Sequence, residues 1–137
     1  MSTVDVSRWL ESARFSDERI EALEELIIRK RSRLEGSKSS GLSDMPGGGG
    51  RGDWTNSIAL IEGYEQELKR LRELREDVSR TIQELSRIEY VTALELYYLR
   101  NMGWAEVARA MARDDKTVRR WRDSAIEEIA KTKTGVW

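Results

Sequence analysis

Basic side chains are concentrated near the C-terminal end of this 137-residue chain. Between Arg100 and Arg122, seven arginines and lysines stand against three carboxylates, although the whole chain has a net charge of −1. Guanidinium groups can donate two hydrogen bonds at once to a planar acceptor edge, and both residue types neutralise phosphates. This segment therefore favours an anionic partner. A solvated helix face explains a surplus of this size equally well, so the charge alone does not decide.

The chain contains no cysteine and no histidine. This composition excludes disulfides, zinc sites with cysteine or histidine ligands, and catalytic triads that need a histidine. The carboxylates follow helix-surface spacing without a nucleophile or base partner, so we expect no enzymatic activity and no cofactor. No apolar run is long enough for a signal peptide or for a membrane span of roughly 18 residues. We therefore expect a cytoplasmic protein that does not contact a membrane.

Two apolar stripes at helical spacing precede the basic segment. The first comprises Ile20, Leu23, Ile27 and Leu34. Its helix is expected to end at Gly36. The second stripe begins after Trp54, covers about 30 residues, and comprises Ile61, Tyr64, Leu68, Leu71, Val78, Ile82 and Leu85. Seven glycines lie in residues 36–53 between the stripes, and this composition predicts a flexible linker.

Stripes this narrow need partner helices. The economical arrangement is a coiled-coil-like antiparallel helical hairpin with the glycine segment at its turn. Because the first helix is shorter, the rest of the long stripe is left for another copy of the chain or for the C-terminal segment. The chain is thus divided into an N-terminal helix region (1–35), a linker (36–53), a long helix (54–88) and a C-terminal domain (89–137).

The C-terminal domain has the spacing of two helices joined by a short turn. Ala108 stands ten residues before Val118, and a helix-turn-helix needs a small residue where its two helices cross closely. Trp104 is expected to pack into the core of this motif. The inner face of the second helix comprises Val118, Trp121, Ala125 and Ile129. The sequence therefore predicts an all-α fold with a helical hairpin followed by a helix-turn-helix.

The same register turns Lys116, Arg119 and Arg120 outward at the beginning of the second helix. In a helix-turn-helix this part approaches base edges in the major groove of DNA, so we assign these three as base readers. Thr117 is assigned to DNA contact or to support of the helix start. The expected phosphate contacts are Arg109, Arg113 and Arg122.

Two acidic residues, Asp114 and Asp115, stand where phosphates would approach. Capping of the second helix explains at least one of them. An aspartate can also accept a hydrogen bond from cytosine N4.

The run LELYYLRNMGWAEVARAMARDDKTVRRWRDSAIEEI resembles region four of bacterial sigma factors. It resembles still more closely the sigma-like helix-turn-helix regulators of phages and prophages of Gram-positive bacteria. Those proteins have an N-terminal helical region, a linker of the "SDMP-GG" type, present here at Ser43–Gly48, and a long helix. Their turn usually holds a glycine and an aliphatic residue, where this chain has Ala112 and Arg113.

The resemblance implies a sequence-specific, DNA-binding transcriptional regulator of phage type in the bacterial host cytoplasm. Its recognition helix covers about residues 115–130, and its partners are double-stranded DNA, RNA polymerase and further copies of the chain bound through the long helices. Two alternatives stay open. A small terminase subunit, which recognises DNA for packaging, predicts a ring of many copies. A helical interaction module without DNA binding predicts no sequence-specific shift with duplex DNA.

Overall fold

The computed structural model of the protein describes residues 1–39 and 49–134, with side chains for 1–36 and 54–133. All regular elements in these ranges are helical and none is a strand, which confirms the predicted all-α class. The helices are α1 (Thr3–Ala13), α2 (Ser16–Ser39), α3 (Gly49–Gln83), α4 (Ile88–Leu94), α5 (Trp104–Ala110) and α6 (Asp115–Thr134), and α4 continues into a π-helical turn (Glu95–Leu99). Over these ranges, no helix combines the length and apolarity that crossing a membrane would require.

The chain divides into two compact units, which are described separately. The terminal unit comprises Met1–Asp17 and Glu73–Trp137, and the central unit comprises Glu18–Arg72. This division differs from the four segments predicted from the sequence, because it groups α1 with the C-terminal segment.

Helix α1 is part of the terminal core, although it precedes the rest of that core by some sixty residues. A capping box begins the helix: Asp5 N–H donates to Ser2 Oγ over 3.1 Å, and Ser2 N–H donates to Asp5 Oδ2. Its buried face consists of Val6, Leu10 and Ala13, at helical spacing. These side chains join the main core cluster, whose other members are Val78, Ile82, Leu85, Val91, Leu94, Tyr98, Leu99, Ala125, Ile126, Ile129 and Ala130.

The second half of the long apolar stripe is covered within the terminal unit. Val78 and Ile82 of α3 are fully buried, and they pack in one cluster with residues of α1, α4 and α6. The C-terminal segment, which is one of the two partners considered for this stripe, covers it together with α1. Helix α3 ends at Gln83, and Leu85 packs into the same core from the connection to α4.

The central unit is built from parts of α2 and α3. Its buried residues are Leu23 and Ile27 of α2 and Ile61 and Leu68 of α3, flanked by Ile20, Leu34, Tyr64 and Leu71. Residues of the first apolar stripe therefore share one cluster with residues from the beginning of the second stripe.

The helices around the predicted linker are longer than the sequence indicated. Helix α2 does not end at Gly36 but continues to Ser39, and α3 begins at Gly49 rather than after the predicted linker. Residues 40–48, which include half of the predicted linker and the SDMP segment, lie outside the described residues. Each added residue gains one backbone hydrogen bond, and a helical glycine costs only about 1 kcal/mol, so helices already packed can extend past glycine.

Candidate nucleic-acid interface

Helices α5 and α6 are joined by a tight turn that the backbone closes with its own hydrogen bonds. Arg113 N–H donates to Ala108 O over 2.9 Å, and Ala112 N–H donates to Arg109 O over 3.1 Å. This pair of bonds is a Schellman motif, which requires a left-handed residue directly after the helix. Ala112 fills that position with a φ of 54°. Alanine is strained there, because its Cβ approaches the carbonyl oxygen that glycine leaves free.

Helix α6 begins with a side-chain cap from Asp114. Its Oδ1 accepts a hydrogen bond from Thr117 N–H over 2.8 Å. Hydrogen bonds from the Thr117 side chain and backbone lower the pKa of Asp114 below its ordinary value. Of the two aspartates considered as caps, Asp114 is therefore the one that caps the helix.

Helices α5 and α6 share a small buried cluster. Val107 and Val118 are fully buried, and Ala108 is 6 % exposed between them. Ala108 is thus a small residue that is buried where α5 and α6 share their cluster, and a small residue permits two helices to approach closely. Trp104 packs into the same cluster, so the expectation that it belongs to the core is confirmed.

The predicted base readers lie on the exposed side of α6, and the predicted phosphate contacts of α5 and the turn are exposed as well. Lys116, Arg119, Arg120, Arg109 and Arg113 are all exposed, while Thr117 is half-buried. Within the part of the chain that the structure describes, Arg109, Lys116 and Arg120 form no ion pair. Arg119 differs, because its Nε lies 2.7 Å from Asp115 Oδ2.

Arg122 is placed differently from the other predicted phosphate contacts. Its guanidinium lies 5.3 Å from the centre of the Trp104 ring, and its Nε lies 2.9 Å from Asp123 Oδ1. Only 27 % of its side chain is exposed. It lines an open groove of about 710 Å³ between α1 and α6, together with Arg8, Glu11 and Asp123.

A series of cation–π and ring contacts connects Arg122 to the corner between α1 and α2. Arg14 lies 3.9 Å from the centre of the Tyr97 ring, and Tyr97 stacks on Trp104 at 4.0 Å with an interplanar angle of 11°. The Arg122 guanidinium lies near the Trp104 ring in turn. Cations are attracted to aromatic rings, so each of the two guanidinium groups adds a cation–π contact to the stacked pair of rings.

The same corner satisfies backbone groups at the end of the π-helical turn. Arg14 donates from Nε to Tyr97 O over 3.1 Å and from Nη2 to Met102 O over 3.0 Å. Arg75 donates from Nη2 to Leu99 O over 3.0 Å. The last carbonyls of a helix have no partner within the helix, and cations are favoured beside them. These two arginines therefore fix the segment that leads into α5.

Sequence reasoning missed Arg14 and Arg75 as supports of this site. Arg14 lies 83 positions from Tyr97 and 88 from Met102, so no local spacing connects them. The signal that was available is the capping box at Ser2 followed by Val6, Leu10 and Ala13, which marks α1 as a helix with one apolar face.

No group of three or more carboxylates in residues 1–36 and 54–133 is placed to hold a metal ion. Comparison of the chain with models of known protein families, with curated proteins and with solved structures finds no match.

Proposed function

We propose that this protein binds double-stranded DNA sequence-specifically through a helix-turn-helix formed by α5 and α6, and that it regulates transcription as phage-type sigma-like regulators do. The observation that carries the proposal is the exposed basic group at the beginning of α6, in which Lys116 and Arg120 form no ion pair among the described residues, beside the buried cluster that α5 and α6 share. An unpaired cation on a rigid helix is available to a phosphate or a base edge without first breaking an ion pair.

In this mechanism the beginning of α6 enters the major groove. Lys116, Arg119 and Arg120 contact base edges there, and a bidentate contact from arginine to guanine is the commonest specific contact of this kind. Arg109 and Arg113 contact phosphates and fix the orientation of the helix pair. Because Arg122 lies over Trp104, we assign it to the support of α6 and not to the phosphate contacts.

The central unit supplies a second surface in this proposal. Ion pairs link Glu24 to Arg72 over 3.2 Å, and Arg31 to Glu65. In these two pairs the residue numbers rise along α2 as they fall along α3, which supports the antiparallel hairpin, although the Arg19–Glu67 pair does not follow this order. Ile28 and Leu60 of this unit are exposed, at 65 % and 45 %. The hairpin is therefore our candidate for contact with RNA polymerase or with another copy of the chain.

Selection of bound duplexes from a random pool tests the proposal. We expect an enriched sequence whose affinity falls steeply with salt, because phosphate contacts release counterions. Arg119→Ala combined with Arg120→Ala should weaken binding to the enriched duplex by roughly a hundredfold, as two good base contacts are lost. Lys69→Ala with Arg70→Ala removes the same charge from exposed positions of α3 and serves as the control. Unchanged binding by the Arg119 and Arg120 variant would contradict our assignment of readers.

A second candidate is a helical interaction module that binds no nucleic acid. It is favoured by the exposed apolar residues of the central unit, which are Ile28, Trp54 and Leu60. A sequence-specific shift with duplex DNA at physiological salt excludes this candidate, and failure to enrich any duplex supports it.

A further inference from the structure

Asp115 is an exposed carboxylate in the first turn of α6, beside the three side chains assigned to base reading. A negative charge there opposes the approach of phosphates. Capping does not account for it, because Asp114 already accepts the hydrogen bond from Thr117 N–H. The helix dipole favours an acid in the first turn, but Asp114 benefits from the same dipole. The contact that distinguishes Asp115 is its ion pair with Arg119.

That ion pair engages one edge of the Arg119 guanidinium and leaves another edge available. Nε donates to Asp115 Oδ2 over 2.7 Å, while Nη1 and Nη2 donate to no group within the described chain. Arg19 in the central unit shows the opposite arrangement, since both its Nε and its Nη2 donate to the Glu67 carboxylate, over 2.6 Å and 3.1 Å. Arg19 is thus closed to a further planar partner, whereas Arg119 still presents two parallel donors.

We propose that Asp115 is a positioning residue that holds Arg119 with its Nη1 and Nη2 edge directed outward for bidentate contact with O6 and N7 of a guanine. The inference rests on the proposed function. A free arginine loses rotamer freedom when it binds, and an arginine already held by an i,i+4 carboxylate loses less.

The charge of Asp115 has a second effect, on the affinity for every sequence. It repels phosphates on every duplex, so it weakens binding to all sequences alike, while its support of Arg119 strengthens binding only where a guanine is in reach. Asp115 therefore raises the ratio of specific to non-specific affinity through its support of Arg119, and its charge lowers both affinities without changing that ratio.

Alanine substitution with a matched control tests this role. Asp115→Ala removes the support of Arg119, and Asp123→Ala removes one carboxylate from the same helix that is paired with Arg122 instead. Each variant and the wild type are titrated with the enriched duplex, with a scrambled duplex, and with the enriched duplex carrying 7-deazaguanine in place of each guanine in turn. The 7-deazaguanine lacks the N7 acceptor that the bidentate contact needs.

We expect the wild type and Asp123→Ala to lose roughly tenfold in affinity at one 7-deazaguanine position, and Asp115→Ala to lose no more than about twofold there. Both variants should bind the scrambled duplex slightly tighter than the wild type, because each lacks one negative charge. In an Arg119→Ala background, Asp115→Ala should not change the discrimination further. Asp115→Asn, which keeps an acceptor oxygen, should fall between Asp115→Ala and the wild type.

Thermal unfolding of each variant confirms that it is folded, and Asp115→Asn replaces Asp115→Ala if the latter is not. If Asp115→Ala loses as much affinity at the 7-deazaguanine position as the wild type does, the proposed role of Asp115 is wrong while DNA binding stands. The same holds if no guanine of the enriched duplexes is sensed by Arg119. If the wild type enriches no duplex, the proposed function fails and this inference fails with it.

Discussion

The two units use arginine in different ways. In the central unit Arg19, Arg29, Arg31 and Arg72 each pair with a glutamate on the helix surface. In the terminal unit Arg14 and Arg75 donate to backbone carbonyls as well as pairing with Glu11 and Asp17, and Arg109 and Arg120 form no ion pair among the described residues. One residue type thus neutralises a surface, fixes a chain segment or stays available to a partner. The number of arginines in a segment does not distinguish these uses, but the groups they contact do.

The largest expected effect separates the buried use from the surface use. Arg14→Ala removes two hydrogen bonds from a charged donor and the cation–π contact with Tyr97, so it should lower the free energy of unfolding by about 3 kcal/mol. Arg29→Ala removes an exposed i,i+4 pair and should lower it by no more than about 0.5 kcal/mol. Urea denaturation of both variants measures the difference. Equal, small losses would show that Arg14 contributes no more than a surface arginine.

The next effect distinguishes basic side chains without an ion pair from arginines that are paired with glutamates. Lys116→Ala with Arg120→Ala should weaken binding to the enriched duplex by about a hundredfold. Arg29→Ala with Arg72→Ala removes the same charge, but both residues are paired with glutamates, so affinity should stay within about twofold. A fluorescence titration at fixed salt measures both. Similar losses in the two variants would mean that affinity follows the net charge and not the position of these cations.

A pH effect compares two carboxylates whose pKa values are lowered for different reasons. Hydrogen bonds from Thr117 lower the pKa of Asp114, and a hydrogen bond from Arg19 lowers that of Glu67. A lowered folded-state pKa means that each charged form stabilises the fold above roughly pH 4, and that this contribution is lost as the pH falls through the folded-state pKa. Acid should therefore destabilise the wild type partly through both groups.

Asp114→Asn should leave the melting temperature at neutral pH nearly unchanged, because asparagine caps helices as well as aspartate does. It should also remove part of the acid destabilisation. Glu67→Gln should likewise remove part of the acid destabilisation, in the central unit. This effect should shrink in high salt, because salt screens the exposed Arg19–Glu67 ion pair. Melting curves from pH 7 to pH 2 at two salt concentrations measure these effects. An Asp114→Asn variant with the acid sensitivity of the wild type would show that its carboxylate is not the relevant group.

The parts of the terminal unit that the sequence predicted correctly depend on local spacing. The burial of Ala108, Val118 and Trp104 and a cap on α6 from Asp114 or Asp115 all follow from residues within one or two helices. Periodicity is sufficient there because helical neighbours are three or four positions apart. The exposure of Lys116 followed from the same register.

The parts that the sequence did not predict depend on contacts between distant segments. Arg122 and Arg120 belong to the same basic segment and look alike in the sequence. The tertiary position of Trp104 is what brings Arg122 against an aromatic ring. Likewise, nothing near Arg14 indicates that its acceptors are the carbonyls of Tyr97 and Met102. Arg119 lies between these cases. Its i,i+4 spacing from Asp115 is visible in the sequence, whereas the free donor edge of its guanidinium is visible only in the structure.

The smallest effect comes from alanine-to-glycine substitution, which should change the free energy of unfolding in opposite directions in the two units. Ala112 is exposed in the left-handed conformation, whereas Ala22 is exposed within α2. Ala112→Gly relieves the clash of Cβ and should raise the free energy of unfolding by about 0.5 kcal/mol, since the relief of strain exceeds the extra entropy that glycine loses. Ala22→Gly should lower it by about 1 kcal/mol. Urea denaturation of the two variants gives both signs directly. A loss at Ala112 as large as that at Ala22 would mean that the turn is not strained, and that alanine stands there because the backbone accepts it without cost.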